Sequence, residues 1–182
     1  DPGVLRDDMK KLMDRHDVLV FTGGVSAGAF DYVPSVLQQL GVRPLFHKIR
    51  QRPGKPFWVG ISETDRPVVI FGLPGNPVSA LIGTIRYIVS YLRSCAGDPG
   101  VDRVERARLA EPFTFDRDLV LFLPVRFWCD TDGTLLAEPA PTNGSGDYAA
   151  LADADGFLEL PAEISTFDAG YAARLHRFGG SR

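Results

Sequence analysis

The sequence predicts an α/β unit followed by a smaller all-β unit, and three observations predict it. Up to residue 97, short β-branched and aromatic runs alternate with segments whose apolar residues recur at helical spacing, as when helices cover both faces of a parallel sheet. The stretch "AGDPG" at 96–100 then breaks the alternation. Beyond it, short extended runs are separated by Pro, Gly and Asp turns, which is the pattern of a β-rich, barrel-like unit. The expected units are therefore 1–97 and 98–182, with the boundary between Ala96 and Arg103.

The elements follow in order. "DPGVLRDDMKKLMDRH" reads as a helix with Val4, Leu5, Met9, Leu12 and Met13 on one face and with Asp1 and Pro2 suiting an N-cap and first turn. "DVLVFTGG" is a buried strand ending in glycines. "DYVPSVLQQLG" is a helix with Asp31 as candidate N-cap and Gly41 at its C-terminal end. The extended, basic "VRPLFHKIRQRPGKPFWVGI" comes next, then the strand "PVVIF". A helix follows in which Val78, Leu81, Ile82, Ile85, Ile88, Val89 and Leu92 form one apolar stripe. In the second part, "RVERARLAEPF", "LVLFLPVRFWCD", "TLLAEPA", "GFLELP" and "YAARLHRF" read as strands, and "TDG" at 131–133 as a hairpin turn. The tail "GGSR" reads as disordered. The opening on a helix that feeds straight into a strand suggests a piece of a larger protein.

Composition narrows the function. The chain has 182 residues, 45% of them hydrophobic, as in an ordinary globular protein. A net charge of −3 argues against a general nucleic-acid binder, which needs a basic excess. No apolar run approaches the roughly 18 residues of a membrane span, and nothing at the start has the order of a signal peptide. The expectation is a soluble, cytoplasmic protein with no nucleic-acid or membrane partner. Cys95 and Cys129 have no zinc spacing and are expected as reduced, largely buried thiols.

Two loops share one design, an apolar strand followed by a Gly-rich turn and a hydroxyl-bearing helix start. The first, "TGGVSAGAFD", holds Thr22, Gly23, Gly24, Ser26, Gly28 and Asp31. The second, "GLPGNPVS", holds Gly75, Asn76 as N-cap, Pro77 at the first helical position and Ser79 in the first turn. In a parallel sheet both lie at carboxyl ends of strands, the edge where open α/β sheets bind ligands. Backbone N–H groups there suit an anion, although glycines also serve plain tight turns. Between the loops, from Tyr32 to Ser62, there is no Asp or Glu, while Arg43, Lys48, Arg50, Arg52 and Lys55 gather around "RQRPGKP". Such segregation builds an anion pocket or blunts a strand edge. His47 reads as a strand residue.

"TGGVSAGAFD", "RPGKP" and "GLPGNPVSAL", in this order and spacing, resemble the signature segments of the molybdopterin molybdenumtransferase family, the bacterial MoeA proteins and the gephyrin E domain. In the β-rich part, Gly144, Ser145, Gly146, then Ala154, Asp155, Gly156, then Leu160 and Pro161 follow the order of that family's C-terminal domain. The resemblance implies a three-layer molybdopterin-binding α/β domain, incomplete at its N-terminus here, and then the β domain. It also implies an activity: insertion of molybdate into adenylylated molybdopterin with Mg²⁺, releasing AMP. By position it implies that Thr22, Gly23, Gly24, Ser26 and Gly28 cradle the pterin phosphate, with Gly75, Asn76 and Pro77 in the same site. Asp31 would hold Mg²⁺ or order the phosphate end, or act only as a helix cap. Arg52, Lys55 and Ser79 match positions associated with molybdate, and Lys48 a further basic position.

Full-length relatives are elongated homodimers, which makes this chain an incomplete catalyst by analogy, and a molybdopterin adenylyltransferase is an implied partner. Three departures stand out. The usual "KPGKP" is here "RPGKP", the family's β-domain Arg segment is here "DLVLFLPVRF" with only Arg126 or Arg117 to substitute, and "DYAALADADG" lacks the serine after the glycines. The competing readings are a molybdopterin-binding scaffold without turnover and a generic nucleotide-binding protein. The latter has neither a G-x-G-x-x-G nor a G-x-x-x-x-G-K-[ST] loop to support it.

Overall fold

The computed structural model of the chain describes residues 2–24, 32–98, 104–140 and 149–179. Contacts divide it into two compact units, Asp1–Ile49 with Gly54–Gly83, and Arg50–Pro53 with Thr84–Arg182.

The first unit carries α1 (Pro2–Met13), β1 (Val18–Thr22), α2 (Val33–Gln39) and β2 (Val42–His47). Past β3 (Gln51–Arg52), which belongs to the second unit, come β4 (Trp58–Ser62), β5 (Val69–Leu73) and α3 (Pro77–Gly83). The sheet order is β1-β5-β4-β2. Only β1–β5 is parallel; β4–β5 and β2–β4 are antiparallel. The expectation of a parallel sheet is thus corrected to a mixed one. Its cause is local: the connections around β4 are hairpins, not helical crossovers. The turn after β4 is closed by Ser62, whose N–H donates to the Val68 carbonyl and whose Oγ accepts from the Val68 N–H at 2.8 Å. The β2–β4 hairpin extends outward through Lys48 N–H to the Phe57 carbonyl and Ile49 N–H to the Lys55 carbonyl, both 2.9 Å.

Met9, Leu19, Val33, Val36, Leu37, Val42, Trp58, Val68 and Ile70 form the core that α1 and α2 share with the sheet. On α1 the buried face is Leu5, Met9 and Met13, spaced by four. Val4 and Leu12, expected on that face, are exposed. Helix α2 starts after Tyr32, and Asp31 lies outside the described residues, as do Ser26 and Gly28. Gly41 ends this helix as expected, at φ +78.

The second unit opens with a π-helical turn (Thr84–Ile88) running into α4 (Val89–Cys95). The strands β6 (Arg106–Leu109), β7 (Phe113–Thr114), β8 (Val120–Cys129) and β9 (Leu135–Pro139) follow. A 3-10 turn (Ala149–Asp153) then leads to β10 (Gly156–Leu160), β11 (Thr166–Phe167) and β12 (Ala172–Arg177). Pairing runs β8–β10–β12–β6–β9 and back to β8, with β3 added in parallel on β8. Alternate residues turn inward, and Ala107, Leu109, Leu121, Leu123, Val125, Ala137, Leu158, Leu160, Ala173 and Leu175 fill the interior. The β8–β9 hairpin turns at Asp130–Thr134, where Asp130 Oδ1 accepts from the N–H groups of Asp132 and Thr134 and Gly133 takes φ +83.

The expected single apolar stripe after Pro77 is broken. Val78, Ile82 and Ile88 are buried, but Leu92 is exposed. The π turn adds a residue to one turn of helix, so the buried face is out of phase beyond it. Cys95 and Cys129 are both free and exposed, against the expectation of burial. Each is the last residue of its element, where the chain turns into solvent. No helix among the described residues is long and apolar enough to cross a membrane. The tail 180–182 and residues 141–148, with Gly144, Ser145 and Gly146, lie outside the described residues.

Candidate functional site

The parallel β1–β5 pairing sets the starts of the two Gly-rich loops side by side. Thr22 stands opposite Leu73 in the register, so both strands end together. The Gly23 N–H then donates to the Leu73 carbonyl at 2.9 Å. Gly23 and Gly24 take φ +82 and +68, a region closed to most L-residues, and a Cβ on Gly24 would lie 2.9 Å from Val33 Cγ2. A Cβ on Gly75 would lie 3.6 Å from the Gly23 Cα, so the two loops touch through bare backbone. Thr22, Gly23, Gly24, Gly75, Asn76, Pro77 and Ser79 are thereby gathered at one sheet edge.

Asn76 caps α3 as its sequence position implies. Its Oδ1 accepts from the Ser79 N–H at 3.0 Å, and its carbonyl from the Ala80 N–H at 3.0 Å. Ser79, in the first turn of α3, directs its hydroxyl back to the cap. Its hydroxyl is buried and donates to the same Asn76 Oδ1, at 3.1 Å. The hydroxyl's proton is thus used to hold the cap. Asn76→Ala is expected to cost about 0.5–2 kcal/mol as a lost N-cap. Ser79→Ala should cost about 1 kcal/mol as a lost buried hydrogen bond. Urea unfolding of the two variants checks this, and an unchanged midpoint for Ser79→Ala would show the bond to be idle.

The cations fall into two groups. Lys48 and Lys55 belong to the first unit and are exposed, Lys48 at φ +65, a conformation that β-hairpin residues other than glycine rarely hold. Arg52 belongs to the second unit, half-buried on β3, whose residues Gln51 and Arg52 pair with Val120 and Leu121. Arg50 beside it is paired with Asp118. Arg126, the candidate substitute in the β-rich unit, donates from Nε to the Asp153 carbonyl at 2.8 Å. Among the described residues no three His, Cys, Asp or Glu gather as a metal site. A Mg²⁺ held by one carboxylate and by substrate phosphate oxygens would need no such group.

Sequence reasoning missed a polar cluster within the second unit. Glu159 of β10 takes the Arg86 guanidinium at 2.9 and 3.3 Å and His176 Nε2 at 2.7 Å. Burial alone would push the Glu159 carboxyl up, but the His176 hydrogen bond and the Arg86 charge outweigh it and hold the group below its ordinary value. Next to Arg86, the Tyr87 hydroxyl donates to Gln51 Oε1 at 2.6 Å, and Gln51 Nε2 donates to the Pro53 carbonyl at 3.0 Å. Gln51 is buried. These partners are far apart in sequence, and no local pattern announces them.

The chain matches the family described as "Probable molybdopterin binding domain" over residues 1–94 and the "MoeA C-terminal region (domain IV)" over residues 106–176. It is 40% identical over 170 residues to a molybdopterin molybdenumtransferase of Synechocystis sp., covering 93% of this chain and 40% of that protein. A molybdopterin molybdenumtransferase of Staphylococcus aureus is 30% identical over 168 residues, covering 92% and 39%. Among solved structures, the molybdopterin biosynthesis MoeA protein from Pyrococcus horikosii aligns with 100% of this chain and 42% of its own, at a TM-score of 0.73 and 32% identity. The chain therefore spans about 40% of the length of the curated relatives it matches. With the paired glycine loops in the first segment and the β-rich unit in the second, this chain belongs to the MoeA-type molybdopterin molybdenumtransferase family.

Proposed function

We propose that this chain carries the C-terminal part of an enzyme that inserts molybdate into adenylylated molybdopterin, releasing AMP and the molybdenum cofactor. The observation that supports it best is the side-by-side placement of the "TGG" and "GLPGNP" loops by the parallel β1–β5 register. Backbone N–H groups at a strand–loop–helix edge suit a phosphate, and cations from the basic hairpin suit a second oxyanion. In this reading Gly23, Gly24, Ser26 and Gly28 hold the pterin phosphate, and Asp31 contributes to Mg²⁺. Arg52, Lys55 and Lys48 meet molybdate and the charge released at the phosphoanhydride. Ser79 acts through the Asn76 cap, since its proton is directed there. Mg²⁺ would supply charge neutralisation at the phosphates.

The family setting supports a three-layer α/β domain completed by further chain, a domain boundary near residues 97–98, a homodimer of the full-length protein, a molybdopterin adenylyltransferase as partner and a cytoplasmic location. A binding or scaffold role without turnover draws support from Arg126, whose guanidinium is occupied by Asp153.

The test is competition among ligands on the full-length protein. Molybdopterin and its adenylylated form should each bind at least about tenfold more tightly than ATP, because the glycine loops select phosphate while the pterin supplies the remaining contacts. Calorimetric titration measures it. ATP binding best would remove the chemical basis of this reading.

A further inference from the structure

We infer that Tyr87 and Gln51 are positioning residues for Arg52, fixing the direction of its guanidinium toward the oxyanion substrate. The inference rests on the reading above, in which Arg52 meets molybdate. β3 is only two residues long, too short to hold a side-chain direction by pairing alone. Its pairing with β8 is supplemented at both ends. The Val120 N–H donates to the Arg50 carbonyl at 3.0 Å, and the Gln51 amide donates to the Pro53 carbonyl at 3.0 Å. Arg52 thus sits between two anchored carbonyls. In an extended strand neighbouring side chains point to opposite faces, so burying Gln51 on one side turns Arg52 to the other.

Gln51 stays inward because its other amide atom, Oε1, accepts the Tyr87 hydroxyl at 2.6 Å. Burial raises the Tyr87 phenol, so it keeps its proton and remains a donor across the working range. Tyr87 in turn stands on the π-helical turn beside Arg86, which Glu159 grips with two hydrogen bonds. From this turn Tyr87 reaches β3 through Gln51 and Arg86 reaches β10 through Glu159, all within the second unit. Arg52 is therefore aimed by a relay of side chains rooted in the β-rich part of the chain, about 70–100 residues away in sequence.

The test uses initial rates of cofactor formation against molybdate concentration in the full-length protein, with direct binding of tungstate measured by calorimetry. Arg52→Ala should raise the molybdate KM more than about tenfold, as loss of a charged contact does. Tyr87→Phe should raise it about three- to tenfold, equivalent to one hydrogen bond, with kcat and the pterin KM within about twofold. Tungstate affinity should fall by the same factor. Adding Tyr87→Phe to Gln51→Ala should cause no further loss, since both break one relay. If Arg52→Ala raises the molybdate KM and Tyr87→Phe leaves it unchanged, the relay is refuted while the role of Arg52 stands. A Tyr87→Phe variant that melts earlier and loses kcat and both KM values together shows a purely structural pair and refutes the relay too. An Arg52→Ala variant with normal molybdate dependence overturns both readings.

Discussion

Replacing Glu159 by alanine is expected to lower the stability of the protein by about 3 kcal/mol at neutral pH, because it strands a half-buried guanidinium. The side chains of Arg86 and Glu159 are 26% and 22% exposed, which places the loss at the lower end for a broken buried pair. His176, buried beneath them, loses its partner as well. Urea unfolding at pH 7 measures the effect, and its pH dependence identifies the cause. Glu159 is held below its ordinary carboxylate value of 4.5, so its contribution is complete above that pH. It is lost as pH falls from there through the lower folded value, where protonation removes the charge in the native state too. The gap between wild type and Glu159→Ala should therefore narrow as pH drops below about 4.5. A gap of the same size at pH 7 and at pH 3 would show that packing, not charge, accounts for the loss.

Gly156→Ala is expected to be of similar severity, on the order of 2–4 kcal/mol, for a reason independent of charge. A Cβ at this position would lie 2.5 Å from the His176 carbonyl oxygen and 3.2 Å from its carbon. The contact is with backbone, and β10 is held on both sides, Gly156 facing Arg177 on β12 and Val125 on β8. Neither neighbour can retreat without opening a ladder. Thermal unfolding should show a drop of several degrees, whereas Gly133→Ala, with open space around its Cβ, should show only the smaller strain of its positive φ. Equal effects at the two positions would refute the steric account.

The same glycine shows what the sequence could reveal. "ADG" at 154–156 matches a family signature, and its meaning here is architectural. The Asp155 N–H donates to the Val125 carbonyl at 2.8 Å, its Oδ2 accepts from the Phe127 N–H at 3.3 Å, and Gly156 lets β12 approach. The longer strands of the β-rich part were equally legible, since each is an apolar or alternating run bounded by turn formers, whereas the two-residue β11 was not read; the "TDG" hairpin lies where its composition put it. Asn76, Pro77 and the two glycine loops were legible because caps and positive-φ turns are local chemistry. The parallel sheet was not, because strand–helix alternation leaves open whether "SETDRPV" crosses over or folds straight back, and Ser62 closes it as a hairpin. The phase of the last helical stripe failed at a π turn that no residue type announces. Gln51, Tyr87, Arg86, Glu159 and His176 were invisible for a different reason: their contacts join residues 17 to 73 positions apart, so each depends on a partner supplied by another segment of the chain.

That dependence has a consequence for the order in which the protein matures. β3 finds its partner strand in residues made about 70 positions later, at Val120 and Leu121. A ribosome adding about 5–20 residues per second needs roughly 4–14 seconds to deliver them. During that interval the basic hairpin can close through Ile49 and Lys55, and Tyr87 can already meet Gln51, but the tip carrying Arg52 lacks the strand that anchors it. The β1–β5 pairing that brings Gly23 beside Gly75 is complete by residue 83 and forms without waiting. The strand that anchors Arg52 is therefore made well after the segments that bring the two glycine loops together.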